Sequence, residues 1–333
     1  MNIPFIPQKN KAAVAAIGSA LMDFCLHESA GFVAASGAQA GGMVMVDYTA
    51  IDAVLAKSGS EPSVVPGGSA CNTAVGVGRL GGKVRFIGKR GDDELGRSLE
   101  ESIRRAGVEP ALSVSPSATG RVLSIITPDA QRSMLTCLGA SSEMRPDEVR
   151  QSFFEDCAIA HIEGYLLFNP ALLTSALNAA KAAGALVSLD LASYTVVESS
   201  RGILNEIVDG GLVDILIANE DEAAAFTGLK DEAAAAEALG KRAPLAAMKL
   251  GKRGSMILRG GEKTVIAPHG DGRPAVDTTG AGDLWASGFL YGLVQGYGLE
   301  KCGALASACG YEVCQVVGAH IPDDGWARIS KFK

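Results

Sequence analysis

Ile215-Leu216-Ile217-Ala218-Asn219-Glu220-Asp221-Glu222-Ala223-Ala224-Ala225-Phe226 is the stretch on which the reading of the fold turns. The apolar run at 215–218 is too short for a helix and reads as a strand buried on both faces. Asn219-Glu220-Asp221-Glu222 opens the helix that follows as an acidic start, and alanines carry it on. The same strand-then-helix unit recurs along the chain. Ala13 to Gly18, Val84 to Gly88, Ile159 to Glu163, Leu186 to Asp190 and Ala246 to Leu250 read as further buried strands, with Ala-, Glu- and Lys-rich helices between several of them. This alternation predicts an α/β protein with a mostly parallel central sheet between two layers of helices.

Two regions break the rhythm. Gly42 to Val65 and Leu112 to Cys137 lack the strand-helix pattern, and Val122 to Ile126 with Arg132 to Cys137 flank the turn Pro128-Asp129-Ala130-Gln131 as a hairpin. Together they predict a small β-rich lid (42–65 and 112–137) over a large α/β domain for nucleotide binding and catalysis (1–41, 66–111 and 138–333). The lid would sit at the carboxyl ends of the main strands, where open α/β sheets bind ligands.

The 333 residues are 47% hydrophobic and 20% charged, with 41 glycines, as in a compact α/β enzyme. The net charge of −7 is spread along the chain. No basic run or aromatic-basic interleaving points to nucleic acid. Cysteines 25, 71, 137, 157, 302, 309 and 314 include no CxxC pair and sit mostly in apolar runs, which favours a reducing, cytoplasmic setting. Lys9 and Lys11 before the apolar stretch Ala12 to Met22 imitate a signal peptide, but Asp23 ends the run and a buried first strand is the expectation. No apolar stretch reaches the ~18 residues of a membrane span.

The strongest chemical signal is Asp277-Thr278-Thr279-Gly280-Ala281-Gly282-Asp283, followed by the apolar run Leu284 to Val294. Strand, glycine turn and helix are the expected context. Small residues at a helix start let backbone N–H groups converge on an anion. Asp283 beside them is placed to take the proton of an attacking hydroxyl, or merely to complement the helix dipole. Pro66-Gly67-Gly68-Ser69-Ala70-Cys71-Asn72 permits close backbone approach and then opens a helix; it suits either a polyol clasp or a turn with an N-cap. Gly76-Val77-Gly78-Arg79-Leu80-Gly81 matches GxGxxG but closes a helix instead of opening one, which argues against a dinucleotide-binding oxidoreductase. GxxxxGK[ST] is absent, so a P-loop is excluded.

Asn219 to Glu222 suits a hydrated Mg²⁺ or simply an acidic helix start. Lys249 and the Gly251-Lys252-Arg253-Gly254 loop suit the edge of a nucleotide, and the loop alone is also an ordinary hairpin. Asp23 and Asp190 are acids at expected strand ends, where they either meet substrate hydroxyls or cap helices. Tyr165 and Phe168, after the strand ending at Glu163, can flank a base.

With these residues the chain resembles the ribokinase-like (PfkB) family of carbohydrate and nucleoside kinases over nearly its whole length. The amino-terminal signature matches Gly67-Gly68 through Asn72 to the glycines at 81 and 82; the carboxyl-terminal one matches Asp277 to Asp283 and the next helix. The resemblance implies a three-layer αβα domain with a β lid, Asp283 as base, and Gly280, Ala281 and Gly282 as anion hole. It implies Asp23, Gly67, Gly68, Asn72, Tyr165 and Asp190 for substrate, and Asn219, Glu222, Lys249, Gly251, Gly254 and Thr279 for ATP. Glu222 would hold Mg²⁺ through water, and carbonyls near Asp277 and Thr279 a monovalent cation such as K⁺. The run from Ile217 to Phe226 and the Gly67 to Asn72 segment are most similar to the adenosine kinase branch, although Ser19 stands after Gly18 where that branch carries Asn.

The expected activity is therefore ATP-dependent phosphotransfer to a hydroxymethyl hydroxyl of a nucleoside or sugar. A ribokinase- or fructokinase-type enzyme is the alternative. A non-catalytic nucleoside or sugar sensor ranks lower, since the GAGD run is intact. Partners would be the acceptor and ATP, without nucleic acid or membrane, in a monomer or homodimer.

Overall fold

The computed structural model describes residues 11–129 and 131–333. Lys9 and Ala130, invoked above for a leader and a turn, lie outside the described residues. Strand Ile215–Asn219 is central to a nine-stranded sheet, and helix Glu220–Thr227 follows it as the opening stretch predicts. The strand order is Glu262–Ile266, Ser255–Arg259, Leu245–Lys249, Ile215–Asn219, Leu186–Asp190, Cys157–Glu163, Ala13–Ile17, Lys83–Gly91, Val108–Ser115. From Leu245–Lys249 to Val108–Ser115 every pairing is parallel, and Ser255–Arg259 and Glu262–Ile266 add an antiparallel edge.

Helices cover both faces. One face packs helix Pro170–Ala182 and its neighbours in a core that includes Leu173, Val187, Leu216 and Leu239. The other packs Ala281–Val294 and Leu299–Val313 around Trp285, Phe289, Ile217 and Ile257, and Ser69–Arg79 around Phe86 and Val77. Strand Ala13–Ile17 is buried at every position, which is why its sequence is continuously apolar instead of alternating.

A second sheet has the order Met43–Met45, Arg132–Gly139, Thr119–Ile126, Leu21–His27, Ser63–Gly67. The expected hairpin is there, with Thr119–Ile126 antiparallel to Arg132–Gly139. Two expectations about sheet membership are corrected. The apolar run that continues to Met22 is two strands, not one. It breaks at Gly18-Ser19-Ala20, and Leu21–His27 joins the small sheet, so Asp23 lies within a strand there instead of ending one in the large sheet. Val108–Ser115, expected to enter the lid at Leu112, instead forms the far edge of the large sheet.

Alternation sorts the small sheet's faces. Leu26, Leu123, Ile125, Leu135 and Cys137 pack beneath helices Ala30–Ser36 and Tyr48–Leu55. Asp23, Val122 and Thr136 form a cross-strand row on the opposite face, turned to the carboxyl ends of the main strands.

Candidate active site

Between the two sheets lies a cleft of about 1710 Å³. It gathers side chains from strand ends and helix starts that are far apart in sequence, the position expected from the topology of open α/β sheets. Helix Ala281–Val294 brings Asp283 to it. Gly280 adopts φ 74°, the left-handed turn that a residue with Cβ resists, and a Cβ there would stand 2.6 Å from that of Ala319. The strand expected before this turn is absent; residues 267–280 run irregularly, tied by Val276 N–H to the Cys314 carbonyl at 2.8 Å.

The carboxylate of Asp283 is fixed by the other glycine motif. Ser69 Oγ donates to Oδ1 at 2.8 Å and Asn72 Nδ2 to Oδ2 at 2.9 Å, while Thr73 Oγ1 donates to the Asp283 carbonyl at 3.1 Å. Burial raises the pKa of Asp283, and the bonds from Asn72 and Ser69 oppose that rise. The result is a held carboxylate with enhanced basicity. Among the described residues the N–H groups of Gly282 and Asp283 have no acceptor, as expected in a first helical turn. Ala281 differs from these two: its N–H is taken by the Thr278 carbonyl at 3.2 Å.

Asp23 faces the cleft from the small sheet, and burial pushes it up to about 7 against the pull of Arg132. Gly67 does not line the cleft. A Cβ on it would stand 2.1 Å from Asp23 Oδ1, so its role is to leave room for that carboxylate. Gly68, Asn72, Tyr165 and Phe168 do line it. Gly68 has φ 100° and lies against the Ser19 carbonyl.

Asn219 and Glu222 form a capping box. Glu222 Oε2 accepts from Asn219 N–H and Oε1 from Asn219 Nδ2, both at 2.8 Å, while Asn219 Oδ1 accepts from Glu222 N–H at 2.8 Å. Each Glu222 oxygen keeps a lone pair, and burial raises the carboxyl. Among the described residues no cluster of three His, Cys, Asp or Glu is placed to hold a bare metal. The carboxylate oxygens of Glu222, a hard donor, suit a hydrated Mg²⁺ reached through water. Asp277 is fully buried below the cleft and bound internally: Oδ1 accepts from Thr279 N–H and Oγ1 at 2.9 and 2.7 Å, Oδ2 from Gly318 N–H at 2.8 Å. Its side chain staples the glycine turn to the 314–318 segment and is not offered to a cation.

Asp190 and Lys249 meet at the cleft floor, Lys249 Nζ donating to Asp190 Oδ2 at 2.8 Å. Gly251 and Gly254 line the edge of the same cleft in the turn between strands Leu245–Lys249 and Ser255–Arg259.

One residue escaped the sequence reading. Glu163 ends strand Cys157–Glu163, is fully buried, and accepts from Ser19 N–H at 2.9 Å and Ala70 N–H at 3.0 Å. Burial brings it up to about 7. Gly18 is obligatory beside it, since a Cβ there would overlap Glu163 Oε2 at 2.1 Å. An acid closing an apolar strand, the sign that singled out Asp190, was present here too.

All seven cysteines are free, six of them buried. Among the described residues no helix is long and apolar enough to cross a membrane.

Known proteins share this fold. The profile of pfkB family carbohydrate kinases matches residues 41–324. The fold superposes on adenosine kinase from Sinorhizobium meliloti with a TM-score of 0.89 and 32% identity, covering 96% of this chain and 99% of that one. A probable sugar kinase from Rhizobium etli CFN 42 gives a TM-score of 0.89 and 30% identity over 97% and 98% of the two chains. Ribokinase from Arabidopsis thaliana is 28% identical over 284 residues, 80% of this chain and 71% of that protein. The chain belongs to the pfkB family and is a kinase of the sugar and nucleoside class.

Proposed function

We propose that this kinase transfers the γ-phosphoryl group of ATP to a hydroxymethyl hydroxyl of a nucleoside, with adenosine the leading acceptor. The observation that carries the reading is the pair of hydrogen bonds from Ser69 and Asn72 that hold Asp283 beside the open N–H groups of its own helix. Asp283 takes the acceptor's proton while the acceptor oxygen attacks the γ-phosphorus. The N–H groups of Gly282 and Asp283 receive the charge that develops on the phosphoryl oxygens. Asp23, Gly68 and Asn72 orient the acceptor's other hydroxyls. Mg²⁺, when bound, offsets phosphate charge, and Glu222 is the residue to hold it through water.

A nucleoside base is favoured by apolar lining: Met43, Met45, Met134 and Leu138 from the small sheet line the cleft together with Tyr165 and Phe168. Similarity to the Sinorhizobium meliloti adenosine kinase adds support. A sugar acceptor has one observation in its favour, the extra buried carboxylate of Glu163, which suits a polyol. A coupled ADP-release assay with Mg-ATP, comparing adenosine, other nucleosides, ribose and fructose, decides between them. Turnover on adenosine above the sugars upholds the nucleoside reading; turnover on sugars alone transfers it to the carbohydrate branch. Absence of turnover on every acceptor overturns both.

A further inference from the structure

The Lys249–Asp190 pair makes no hydrogen bond to Asp283, yet Lys249 Nζ lies beside the helix start that carries it. Resting on the kinase reading above, we propose that Lys249 is a further catalytic residue whose ammonium contacts the phosphoryl group in transfer. It supplies the cation that a P-loop lysine supplies elsewhere, and this chain has no P-loop.

Position is the first argument. Lys249 ends strand Leu245–Lys249 and reaches across Ile215–Asn219 to Asp190, at the end of the strand beyond. Its Nζ stands 3.1 Å from the point a Cβ on Gly282 would occupy. Gly282 carries one of the two open N–H groups of the helix start. Ammonium and backbone donors therefore bracket the same point.

Capacity is the second. An ammonium has three N–H donors, and among the described residues the only hydrogen-bond acceptor of Lys249 is Asp190. Asp190 is itself fixed, its Oδ1 accepting from Ala192 N–H at 3.2 Å. The Lys249 side chain is 13% exposed and opens on the cleft, with two donors uncommitted. Other cations along the cleft are placed differently. Arg273 is paired with Asp271, and Arg132 acts on Asp23 from the small sheet. Burial alone lowers the affinity of Lys249 for its proton, but Asp190 and Glu222 outweigh burial and hold the group charged.

In the step, a bond forms between the acceptor oxygen and the γ-phosphorus. The bond from that phosphorus to the β–γ bridging oxygen breaks, its electron pair leaving on ADP. The acceptor proton passes to Asp283, and Lys249 stays protonated throughout, offsetting charge on the non-bridging oxygens.

The test compares wild type, Lys249→Met and Lys249→Arg by ADP release and by binding of ADP with and without aluminium fluoride, which mimics the phosphoryl group. Lys249→Met is expected to lower kcat by about 100-fold or more while acceptor KM stays within about threefold. It should weaken binding of ADP with aluminium fluoride far more than binding of ADP alone, and Lys249→Arg should fall between the two. Turnover within about threefold of wild type in Lys249→Met, or equal weakening of both ligands, overturns the proposal. Where Lys249→Met does not fold, Asp190→Asn/Lys249→Met removes the charge imbalance. In a folded double variant, weaker binding of ADP with aluminium fluoride than of ADP alone, relative to wild type, supports the phosphoryl contact, and equal weakening of both overturns it. A wild type inactive on every acceptor sinks the kinase reading instead, a result distinct from an active wild type with an active Lys249→Met.

Discussion

Asn72 Nδ2 donates to Asp283 Oδ2 at 2.9 Å, so the first turn of one helix holds the carboxylate at the first turn of another. The two glycine motifs are 211 positions apart along the chain at this bond, yet they form one unit. A base held in this way loses little orientation entropy when the acceptor arrives.

Asp283→Asn should lower kcat by roughly 10²–10⁴-fold, the range for loss of general-base help. Acceptor affinity, measured by calorimetry, should remain within a few-fold. A parallel loss of binding would mark Asp283 as a scaffold residue.

Asn72→Ala should move the acid limb of kcat/KM to higher pH. The Asn72 bond lowers the Asp283 pKa against burial, so its removal raises that pKa and demands more alkaline conditions for ionisation. A pH–rate profile unchanged in shape would separate Asn72 from Asp283.

Asp23 and Glu163 are each pushed up to about 7 by burial from ordinary values of 3.8 and 4.5. In this window the folded chain binds more protons than the unfolded one, so stability falls as pH rises. The ligand-free protein should melt at a higher temperature at pH 5 than at pH 8. The slope is on the order of 1 kcal/mol per pH unit for each group. Asp23→Asn should flatten part of it; an identical slope in the variant would remove Asp23 as a source.

Gly68→Ala should destabilise the fold by about 1–3 kcal/mol or more, because φ is 100° and the new Cβ would meet the Ser19 carbonyl oxygen at 2.0 Å. Gly202→Ala is the control. It lies in helix Arg201–Asp209 with nothing within 4 Å of a Cβ, and should leave Tm unchanged or raised. Equal Tm values for the two variants would refute the strain argument.

The alternation around Ile215–Asn219 made the large sheet legible, because parallel strands buried on both faces leave continuous apolar runs. The glycine motifs were legible because close approaches, of Gly67 to Asp23, Gly68 to the Ser19 carbonyl and Gly280 to Ala319, leave no room for a Cβ. Asp23 was misplaced for a physical reason. Gly18-Ser19 marks a break in the apolar run, but a break does not say whether the next strand stays in the same sheet or passes to another. The Asp190–Lys249 pairing was invisible as well, since strand order, not sequence spacing, brings the ends of two non-adjacent strands together.

That passage between sheets has a consequence for selectivity. Asp23 rides on a strand of the small sheet and Asp283 on the first turn of helix Ala281–Val294, and both line the same cleft. In the reaction proposed above, an acceptor presents its reactive hydroxyl to one carboxylate while its far hydroxyls rest on the other. On that reading the two acids act as the jaws of a gauge, and molecules too short to span it, water among them, touch only one jaw and are passed over.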